Sequence, residues 1–459
     1  MKNSKKIILA ITGSIAAVKT YDAIRMFQND GYDVQCVVSN GGENFISRLA
    51  LESLSGYPVL GPDIFSFPNF ENKELTIQNY NKKNSSEIFA HIECTKNIEA
   101  VVVLPASANF LADFSQGRAT NFLSSMMLAN TKPVVLCPAM NSHMWNNSAV
   151  QNNIKIIKIL YANTQNSNNL EIVEPQKSGI LACGDEGVGK LALLENIKLY
   201  LEKLLTKNYH KNNIHNKTVV INLGGTQEKI DPVRFIGNFS SGETGKIIAE
   251  QCFILGAKKV ICIVGNVSVC FQHLEEIENF EIIYLANNSA QEMLAATEKY
   301  VKEADIVIFT AAVADFTPKN YLDIKIKKVK KVKKVKKIHS DDNLATHLML
   351  ELQETIDIAK YSTEQYKNNI YNKKIFIGFA LETEKNIEKY KQIIQKKCED
   401  KNLDYVLGNT PQNFSQNKNS QNFNYLVYSK KTQNFTESSE FLDKKTFFKE
   451  FLKYIPCNS

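Results

Sequence analysis

Each half of the 459-residue chain opens with the same order of patterns: an apolar run, a glycine-containing turn and an amphipathic helical stretch. In the first half, KIILAIT (6–12) leads into Gly13 and Ser14, and the helical pattern IAAVKTYDAIRMFQND precedes a second apolar run, VQCVVSN (34–40). In the second half, KTVVINL (217–223) leads into a glycine-rich loop, and IIAEQCFILGA and KVICIVG follow. A strand, a helix and a second strand in this order are typical of a parallel sheet. The chain is therefore predicted to be an α/β protein with two doubly wound, mainly parallel, Rossmann-like domains.

Further apolar runs complete the two predicted sheets. Strands are predicted at 100–104 and 133–137 in the first half, and at 280–285, 305–310, 375–379 and 404–407 in the second. The stretch between the halves is polar and Asn-rich, which indicates a linker. We expect a first domain at 1–202, a linker at 203–216 and a second domain at 217–459. Two other Asn/Gln-rich patches, 163–169 and 412–424, are expected to be surface loops.

The cysteines and the amino terminus bear on the cellular compartment. Nine scattered cysteines without a C-x-x-C pair argue against a zinc site and favour a reducing compartment. The amino terminus has the basic start and short apolar stretch of a secretory signal, but Thr12, Gly13 and Ser14 interrupt that stretch. No run reaches the ~18 apolar residues of a membrane span. We expect a cytoplasmic protein that does not contact a membrane.

Residues 325–338, KIKKVKKVKKVKKI, contain nine lysines. The whole chain has a formal net charge of +7, so the other residues together carry −2. The apolar spacing of three matches neither the helical nor the strand period, and the run is typical of a solvated loop. A nucleic-acid-binding surface needs basic residues spread over a face with polar or aromatic contacts between them, so a nucleic acid is not an expected partner.

Two glycine-containing stretches resemble nucleotide-binding loops without matching them. GDEGVGKL (184–191) has the spacing of a P-loop, but Leu191 replaces the Ser or Thr that would hold Mg²⁺, and no clear strand precedes it. We interpret it as an active-site flap. ITGS (11–14) lacks the G-x-G-x-x-G of a dinucleotide site, although a Gly-Ser pair at a helix start can bind one phosphate through backbone N–H groups. This pattern favours a mononucleotide such as FMN over NAD.

Three side chains of the first half are candidates for chemistry, and each also has an ordinary structural explanation. His91 opens a helical stretch and can be a cap, Asn141 follows a proline and can be a turn residue, and Cys183 can be a small core residue. Asn141 stands at the carboxyl end of a predicted strand, where ligands gather in open α/β sheets. Cys183 is the strongest candidate, because the surrounding glycines would expose its thiol.

Residues 1–200 resemble the flavin-containing cysteine decarboxylases that act on 4′-phosphopantothenoylcysteine. The matching stretches are TGSIAAVK (12–19), HIE (91–93), PASANF (105–110), PAMN (138–141) and ACGD (182–185). The resemblance implies that His91 is the general base, that Asn141 holds the substrate carboxylate, and that Cys183 is the acid of the reductive step. It also implies an FMN cofactor with contacts from Gly13, Ser14, Ser39, Ser107 and Asn109.

An FMN cofactor would explain how a β-thiol carboxylate loses CO₂. Oxidation of the carbon that bears sulfur gives a thioaldehyde, which accepts the electrons that decarboxylation releases, and reduction of the ene-thiolate then gives 4′-phosphopantetheine. A flavin-binding regulatory protein of the same fold is the alternative. Such relatives can lack the catalytic Asn or Cys, and both residues are present here.

The second half resembles the CTP-using bacterial phosphopantothenate–cysteine ligases. The matching stretches are GGTQEKIDPVRFIGNFSSGETG (224–245), AAVADF (311–316), KIKK (325–328), GFALET (378–383) and KNLD (401–404). A decarboxylase followed by a ligase resembles the bacterial bifunctional coenzyme A biosynthesis proteins. The resemblance implies that CMP passes from CTP to 4′-phosphopantothenate and that the amine of cysteine then attacks the acyl-cytidylate.

The ligase resemblance also implies roles for individual residues. Gly224 and Gly225 would offer backbone donors to phosphates, and Asn238 would polarise the acyl carbonyl. Lys325, ten residues after Asp315, would close over the triphosphate, and most of the later lysines would be a dispensable expansion. The remaining implied substrate or CTP contacts are Arg234, Ser240, Ser241, Gly242, Phe309, Thr310, Ala311, Asp315, Asn343, Phe379, Lys397 and Lys401. Mg²⁺ would accompany CTP, and its ligands stay unassigned.

The sequence departs from the usual pattern of the ligase family at two places, and the resemblance also implies an oligomeric assembly. Phe239 stands where the ligase family usually has His, and the helix after GFALET is one turn longer than usual. The resemblance implies a homo-oligomer, with trimeric contacts in the first half and dimeric contacts in the second.

Overall fold

The structure is a computed structural model. It describes residues 5–62, 90–162, 169–180, 182, 184–206, 212–326, 349–367, 374–410, 425–438 and 443–455. The chain divides into two compact units, Met1–Lys207 and Asn208–Ser459. Across the described ranges, no helix is long and apolar enough to span a bilayer.

The first unit contains a five-stranded parallel sheet with the strand order β2-β1-β3-β4-β5. The strands are β1 Lys5–Ile11, β2 Tyr32–Val38, β3 Ala100–Ala106, β4 Val134–Pro138 and β5 Leu170–Ile172. A 3-10 helix covers Ile15–Lys19, and the α-helices are α1 Thr20–Asn29, α2 Asn40–Glu43, α3 Arg48–Ser55, α4 Ala90–Lys96, α5 Ala108–Ser115, α6 Phe122–Ala129, α7 Ser142–Trp145, α8 Ser148–Ala162 and α9 Leu194–Leu205. The strand order 2-1-3-4-5 is that of flavodoxin-like folds.

Helices cover both faces of this sheet, as the near-continuous apolar strands require. Side chains of β1 alternate between two cores: Leu9 packs with α1 and α9, whereas Ile8 packs with α5, α6 and α8. Both residues are fully buried, and each such side chain contributes roughly 1.5–3 kcal/mol of transfer free energy. The sheet is therefore a rigid support for the loops at its carboxyl edge.

The second unit contains an eight-stranded sheet with the order β10-β9-β6-β11-β14-β15-β16-β17. Its strands are β6 Thr218–Leu223, β9 Lys259–Val264, β10 Phe280–Tyr284, β11 Ile306–Phe309, β14 Ile375–Leu381, β15 Tyr405–Asn409, β16 Leu426–Ser429 and β17 Asn434–Glu437. The first six in the spatial order are parallel, and β16 and β17 add antiparallel pairs at one edge. The parallel part repeats the Rossmann order 3-2-1-4-5-6.

Two short two-stranded sheets and six α-helices complete the described part of the second unit. Their antiparallel strands are β7 Gln227–Lys229 with β8 Phe235–Gly237, and β12 Phe316–Pro318 with β13 Leu352–Glu354. The helices are α10 Glu243–Ile254, α11 Gln272–Glu275, α12 Ala290–Val301, α13 Ile358–Tyr366, α14 Ile387–Asp400 and α15 Lys444–Tyr454.

Each sheet has one position where the chain order reverses. It lies between β1 and β3 in the first unit and between β6 and β11 in the second. In open α/β sheets, ligands bind at the carboxyl ends of the strands at this reversal. The two positions therefore locate one candidate site in each unit.

The structure confirms the predicted α/β fold class, and described strands occur at every range predicted to be one. The predictions omitted β5, β16, β17 and both two-stranded sheets. The predicted linker begins at residue 203, whereas α9 continues to Leu205. Most of the Asn/Gln-rich patches, and the lysine run from residue 327 onward, lie outside the described residues.

Candidate functional sites

Thr12 links the two strands at the chain reversal of the first unit. It directly follows β1 and is 2% exposed. Its Oγ1 donates to the carbonyl of Pro105 at 2.6 Å and accepts from the backbone N–H of Ser107 at 2.8 Å. The ends of β1 and β3 are thus joined by one buried hydroxyl.

A cavity of about 380 Å³ lies at this junction. Four of the five residues predicted to contact FMN line it: Gly13, Ser39, Ser107 and Asn109. The fifth, Ser14, follows Gly13 directly, and its hydroxyl donates to the carbonyl of Ala139 at 3.2 Å. The structure therefore groups these residues around one cavity or immediately beside it.

The serine hydroxyls at the cavity cap helices. The Oγ of Ser39 accepts from the N–H of Gly42 at 3.2 Å, and that of Ser107 accepts from the N–H of Phe110 at 3.3 Å. Ser107, Ala108 and Asn109 line the cavity, so the amino terminus of α5 faces it, and the unpaired N–H groups and partial positive charge of this helix end suit an anion. A Cβ on Gly13 would lie 3.1 Å from the backbone of Gly41, so a larger residue would crowd this part of the lining.

The lining also contains side chains without a predicted role. Asn109 Nδ2 donates to the Asp113 carboxylate at 3.4 Å, and Arg118 lies 3.8 Å from the other oxygen of the same carboxylate. Phe110 and Phe114 stack with ring centroids 5.6 Å apart. Polar groups, a helix amino terminus and aromatic rings in one cavity fit a phosphorylated, ring-containing cofactor such as FMN.

Asn141 lies on a loop after β4, and its amide orientation is fixed. The Oδ1 accepts from the N–H of His143 at 2.8 Å, so the Nδ2 group donates, and its 3.1 Å partner is the carboxylate of Asp185. Sequence reasoning gave Asp185 no role, although it ends the matching stretch ACGD. A carboxylate two residues from the predicted acid Cys183 was the available signal.

The glycine-rich flap packs against the Asn141 loop. The backbone N–H of Met140 donates to the carbonyl of Gly189 at 3.0 Å. A Cβ on Gly187 would lie 2.6 Å from Ser142 Oγ, and one on Gly189 would lie 2.2 Å from the Met140 carbonyl oxygen. Both glycines are therefore needed for the close approach, which places the flap beside Asn141.

The two other predicted catalytic residues of the first unit are His91 and Cys183. His91 is partly buried in the first turn of α4, which packs against α6. Cys183 lies outside the described residues. The structure thus brings Asn141 together with the flap, while His91 belongs to α4.

Backbone hydrogen bonds tie the glycine turn after β6 to neighbouring loops. Gly224 has a φ of +85°, and its carbonyl accepts from the N–H of Ala312 at 2.8 Å. A Cβ on Gly225 would lie 2.8 Å from the carbonyl oxygen of Asn238. The loops after β6, β8 and β11 therefore meet at the reversal point of this sheet.

The predicted acyl-binding and phosphate-binding residues lie on this junction. Asn238 Nδ2 donates to the carbonyl of Val313 at 2.9 Å, and Phe239 beside it is fully exposed. Ser240 approaches Gly225, and Ser241 Oγ accepts from the N–H of Glu243 at 3.3 Å. Gly242, with a φ of +79°, caps the twelve-residue helix α10. Like the amino terminus of α5, this helix start has unpaired backbone N–H groups and a partial positive charge, which suit a phosphate.

Asp231 is a buried carboxylate beside the predicted substrate residue Arg234. Its Oδ1 accepts the N–H groups of Val233 and Arg234, both at 2.8 Å. Its Oδ2 accepts from Arg234 Nη1 and, at 3.1 Å, from the N–H of Ile326. Burial alone would raise the pKa of Asp231, but these hydrogen bonds and the guanidinium lower it to about 2. Sequence reasoning missed Asp231, which directly precedes the proline of DPVR.

The last residue of β11 and the segment after it contribute mainly backbone to the junction. The ring of Phe309 is buried and stacks on Phe376, with centroids 6.4 Å apart. Thr310 Oγ1 donates to the carbonyl of Asn222 at 2.8 Å, while Ala311 is half-buried. Asp315 is exposed, and its carbonyl accepts from the N–H of Thr355 at 2.9 Å.

The remaining predicted CTP contacts lie on or near β14 and α14. Phe379 is half-buried and makes an edge contact with Tyr425, with centroids 6.1 Å apart. Lys397 pairs with Glu382, and Lys401 pairs with Asp357 at 2.8 Å. Asn343 lies outside the described residues. Within the described ranges, no three His, Cys, Asp or Glu side chains form a cluster that could hold a metal ion.

Two family models together match nearly the whole chain. Residues 1–206 match the Flavoprotein family, and residues 214–455 match the C-terminal domain of DNA/pantothenate metabolism flavoproteins. The coenzyme A biosynthesis bifunctional protein CoaBC of Bacillus subtilis is 34% identical over 409 residues, which are 89% of this chain and 86% of that protein. The CoaBC of Borreliella burgdorferi is 30% identical over 457 residues, 99% of this chain and 100% of that protein.

Among solved structures, the C-terminal domain of a CoaBC protein is 32% identical with a TM-score of 0.38, covering 53% of this chain and 96% of that chain. A mutant PPC decarboxylase complexed with pantothenoylaminoethenethiol is 26% identical with a TM-score of 0.34, covering 44% of this chain and 100% of that chain.

Proposed function

This chain belongs to the family of bifunctional coenzyme A biosynthesis proteins, and we propose that its two units perform a ligation and a decarboxylation in succession. The second unit joins cysteine to 4′-phosphopantothenate, and the first converts the product, 4′-phosphopantothenoylcysteine, to 4′-phosphopantetheine and CO₂. The observation that carries the proposal is that described residues of the matching stretches lie at the strand-order reversals of two separate sheets, Gly13 and Ser107 in the first unit and Gly225 and Asn238 in the second.

In the first unit, the cavity at the carboxyl ends of β1 and β3 is the proposed FMN site. FMN would supply the two-electron oxidation and re-reduction that this decarboxylation requires. Gly13 and Ser14 contribute backbone at the turn after β1, and the capped start of α5 suits the phosphate. Ser39 and Asn109 complete the polar lining.

The loop and flap beside the cavity are the proposed substrate site. Asn141 donates from an amide that is already oriented by His143, so it can hold a carboxylate without first rotating. Asp185 accepts that donation in the structure, and we propose that the substrate carboxylate takes its place. His91 is the proposed general base, and Cys183, which directly precedes the flap in the sequence, is the proposed acid that protonates the ene-thiolate carbon.

In the second unit, the carboxylate of 4′-phosphopantothenate attacks the α-phosphorus of CTP, pyrophosphate leaves, and the cysteine amine then displaces CMP. Backbone N–H groups at Ser240, Ser241 and Gly242 would bind phosphate oxygens, and Asn238 would polarise the acyl carbonyl. Asp315, Ala311 and the backbone at Phe309 and Thr310 would contact the nucleotide, together with Phe379 and Asn343. Mg²⁺ would neutralise charge on the triphosphate.

The three lysines proposed to contact CTP need different rearrangements. Lys397 already pairs with Glu382, and Lys401 pairs with Asp357, so CTP would have to displace these two carboxylates from the lysines. Lys325 stands next to the hydrogen bond that anchors Ile326 to Asp231, which leaves its flexible side chain to follow the phosphates.

We further propose the assembly and compartment expected from the sequence: trimeric contacts between first units, dimeric contacts between second units, and a cytoplasmic location. The described cysteines are all free, which agrees with a reducing compartment.

Product analysis of the purified protein tests both activities. Flavin absorbance in the folded protein supports the decarboxylase, and pyrophosphate release that requires CTP and 4′-phosphopantothenate supports the ligase. A colourless protein that refuses added FMN contradicts the first assignment, and CTP-independent product contradicts the second.

A further inference from the structure

Asp231 connects two parts of the ligase unit that are far apart in sequence. Its carboxylate accepts four hydrogen bonds, and the donor of one, the N–H of Ile326, is 95 residues away. Ile326 directly follows Lys325, and Arg234 donates both its backbone N–H and its guanidinium to the same carboxylate. One buried group thus holds the chain segments that carry two cations of the proposed site.

We infer that Asp231 is a positioning residue of the ligase reaction, which sets the distance between Arg234 and Lys325. The inference rests on the proposed ligase function, in which Arg234 contacts substrate and Lys325 follows the triphosphate. Asp231 is 1% exposed and touches neither ligand in this assignment. Its effect on the reaction is therefore indirect.

The chemistry of the contact explains why this residue is a carboxylate. A buried carboxylate is costly unless several donors reach it, and both of its oxygens accept two N–H groups here. The Arg234 side chain remains 41% exposed, so Asp231 holds Nη1 of the guanidinium while its other nitrogens can contact a ligand. In Asp231→Asn, an NH₂ group at the Oδ2 position cannot accept from Arg234 Nη1 or from the N–H of Ile326, so the hydrogen bond to Ile326 would be lost.

The bifunctional chain supplies an internal control for this inference. Asp231→Asn should lower the rate of CTP-dependent pyrophosphate release roughly 10- to 100-fold, the loss expected for hydrogen bonds to a charged group. Decarboxylation of 4′-phosphopantothenoylcysteine by the same protein should keep its wild-type rate. Glu228→Gln is the matched control, because Glu228 is also a buried carboxylate that accepts a backbone N–H, that of Ala290 at 2.8 Å. It should keep both rates.

A double-mutant cycle separates positioning from a general structural role. If part of the effect of Asp231 runs through Lys325, then the combined loss in Asp231→Asn/Lys325→Gln should be clearly smaller than the product of the two single losses. Losses that multiply fully would overturn the inference, as would a wild-type ligase rate in Asp231→Asn.

A second variant keeps the test decisive if Asp231→Asn does not fold. Ile326→Pro removes the distant donor and leaves Asp231 intact, and it should lower the same rate by roughly 10-fold or more. Ile324→Pro places the ring two residues earlier without removing that donor and should retain more activity; equal rates for the two proline variants would overturn the inference. A wild-type protein that releases no pyrophosphate would refute the proposed ligase function instead.

Discussion

Gly189 sets the distance between the flap and the loop that carries Asn141. Its φ of +136° is a conformation that side chains rarely adopt, and its carbonyl accepts the N–H of Met140 at 3.0 Å. A Cβ at this position would lie 2.2 Å from the Met140 carbonyl oxygen. Gly189→Ala must therefore separate the two backbone segments.

The size of the separation follows from the contact distance. Ordinary Cβ contacts begin at 3.4 Å, so the flap or the Asn141 loop must move by about 1 Å. A misplacement of about 1 Å in a catalytic constellation can cost on the order of 100-fold in rate, and the unfavourable φ adds ~1–3 kcal/mol of backbone strain. We expect decarboxylation to slow about 100-fold in Gly189→Ala.

The assay compares CO₂ release from 4′-phosphopantothenoylcysteine with pyrophosphate release by the same protein. Ligase turnover should stay at the wild-type rate, because Gly189 belongs to the other unit. Gly56→Ala is the matched control, since Gly56 has a φ of +76° but no heavy atom within 4 Å of an added Cβ. It should keep wild-type decarboxylation. The reasoning is refuted if Gly189→Ala decarboxylates normally, or if Gly56→Ala slows the reaction equally.

Four further predictions test individual groups. Cys183→Ser should retain bound flavin and accumulate the unsaturated thiol intermediate, as mass spectrometry would detect; an unchanged yield of 4′-phosphopantetheine contradicts its role. Lys325→Gln should stall the ligase, whereas neutralising the six lysines of 330–337 should cost far less, and equal losses in pyrophosphate release would disprove the distinction. Because the substrate carboxylate must displace Asp185 from the Asn141 amide, Asp185→Ala should lower the decarboxylase KM about 5-fold, whereas Asp185→Asn, which keeps an acceptor, should lower it less; equal KM values would count against the Asn141 contact. Because the pKa of Asp231 falls from 3.8 to about 2 on folding, its ionisation stabilises the fold above pH ~4 and this contribution disappears as the pH falls toward 2. The stability difference between wild type and Asp231→Asn in acid denaturation should shrink over that range, and a constant difference would contradict the assigned shift.

Buried strands were predictable because their apolar runs are continuous and glycine turns separate them from helices. β1, β6 and β9 have at least five consecutive fully or nearly fully buried residues each, which leaves a clear pattern in the sequence. β5 has three residues, all only partly buried, and three of the four residues of the edge strand β17 are exposed, so neither strand contains a buried apolar run. Such strands depend on the neighbour they pair with, and the local sequence does not specify that neighbour.

The site could be predicted only where its parts are close in sequence or belong to a known motif. Gly13, Ser39 and Ser107 come from three separate loops, but each loop follows a strand of a recognisable parallel sheet. Asp231 and Asp185 were missed for the opposite reason. Their partners, Ile326 and Asn141, lie 95 and 44 residues away, and only the folded backbone brings these pairs together.

The most direct test is a product analysis of the unmodified protein given 4′-phosphopantothenate, cysteine, CTP and Mg²⁺. We expect CMP, pyrophosphate, CO₂ and 4′-phosphopantetheine in equal amounts, and no 4′-phosphopantetheine when CTP is omitted. Failure to form 4′-phosphopantothenoylcysteine, or its accumulation without release of CO₂ by a flavin-loaded protein, would contradict the assignment of one reaction to each strand-order reversal.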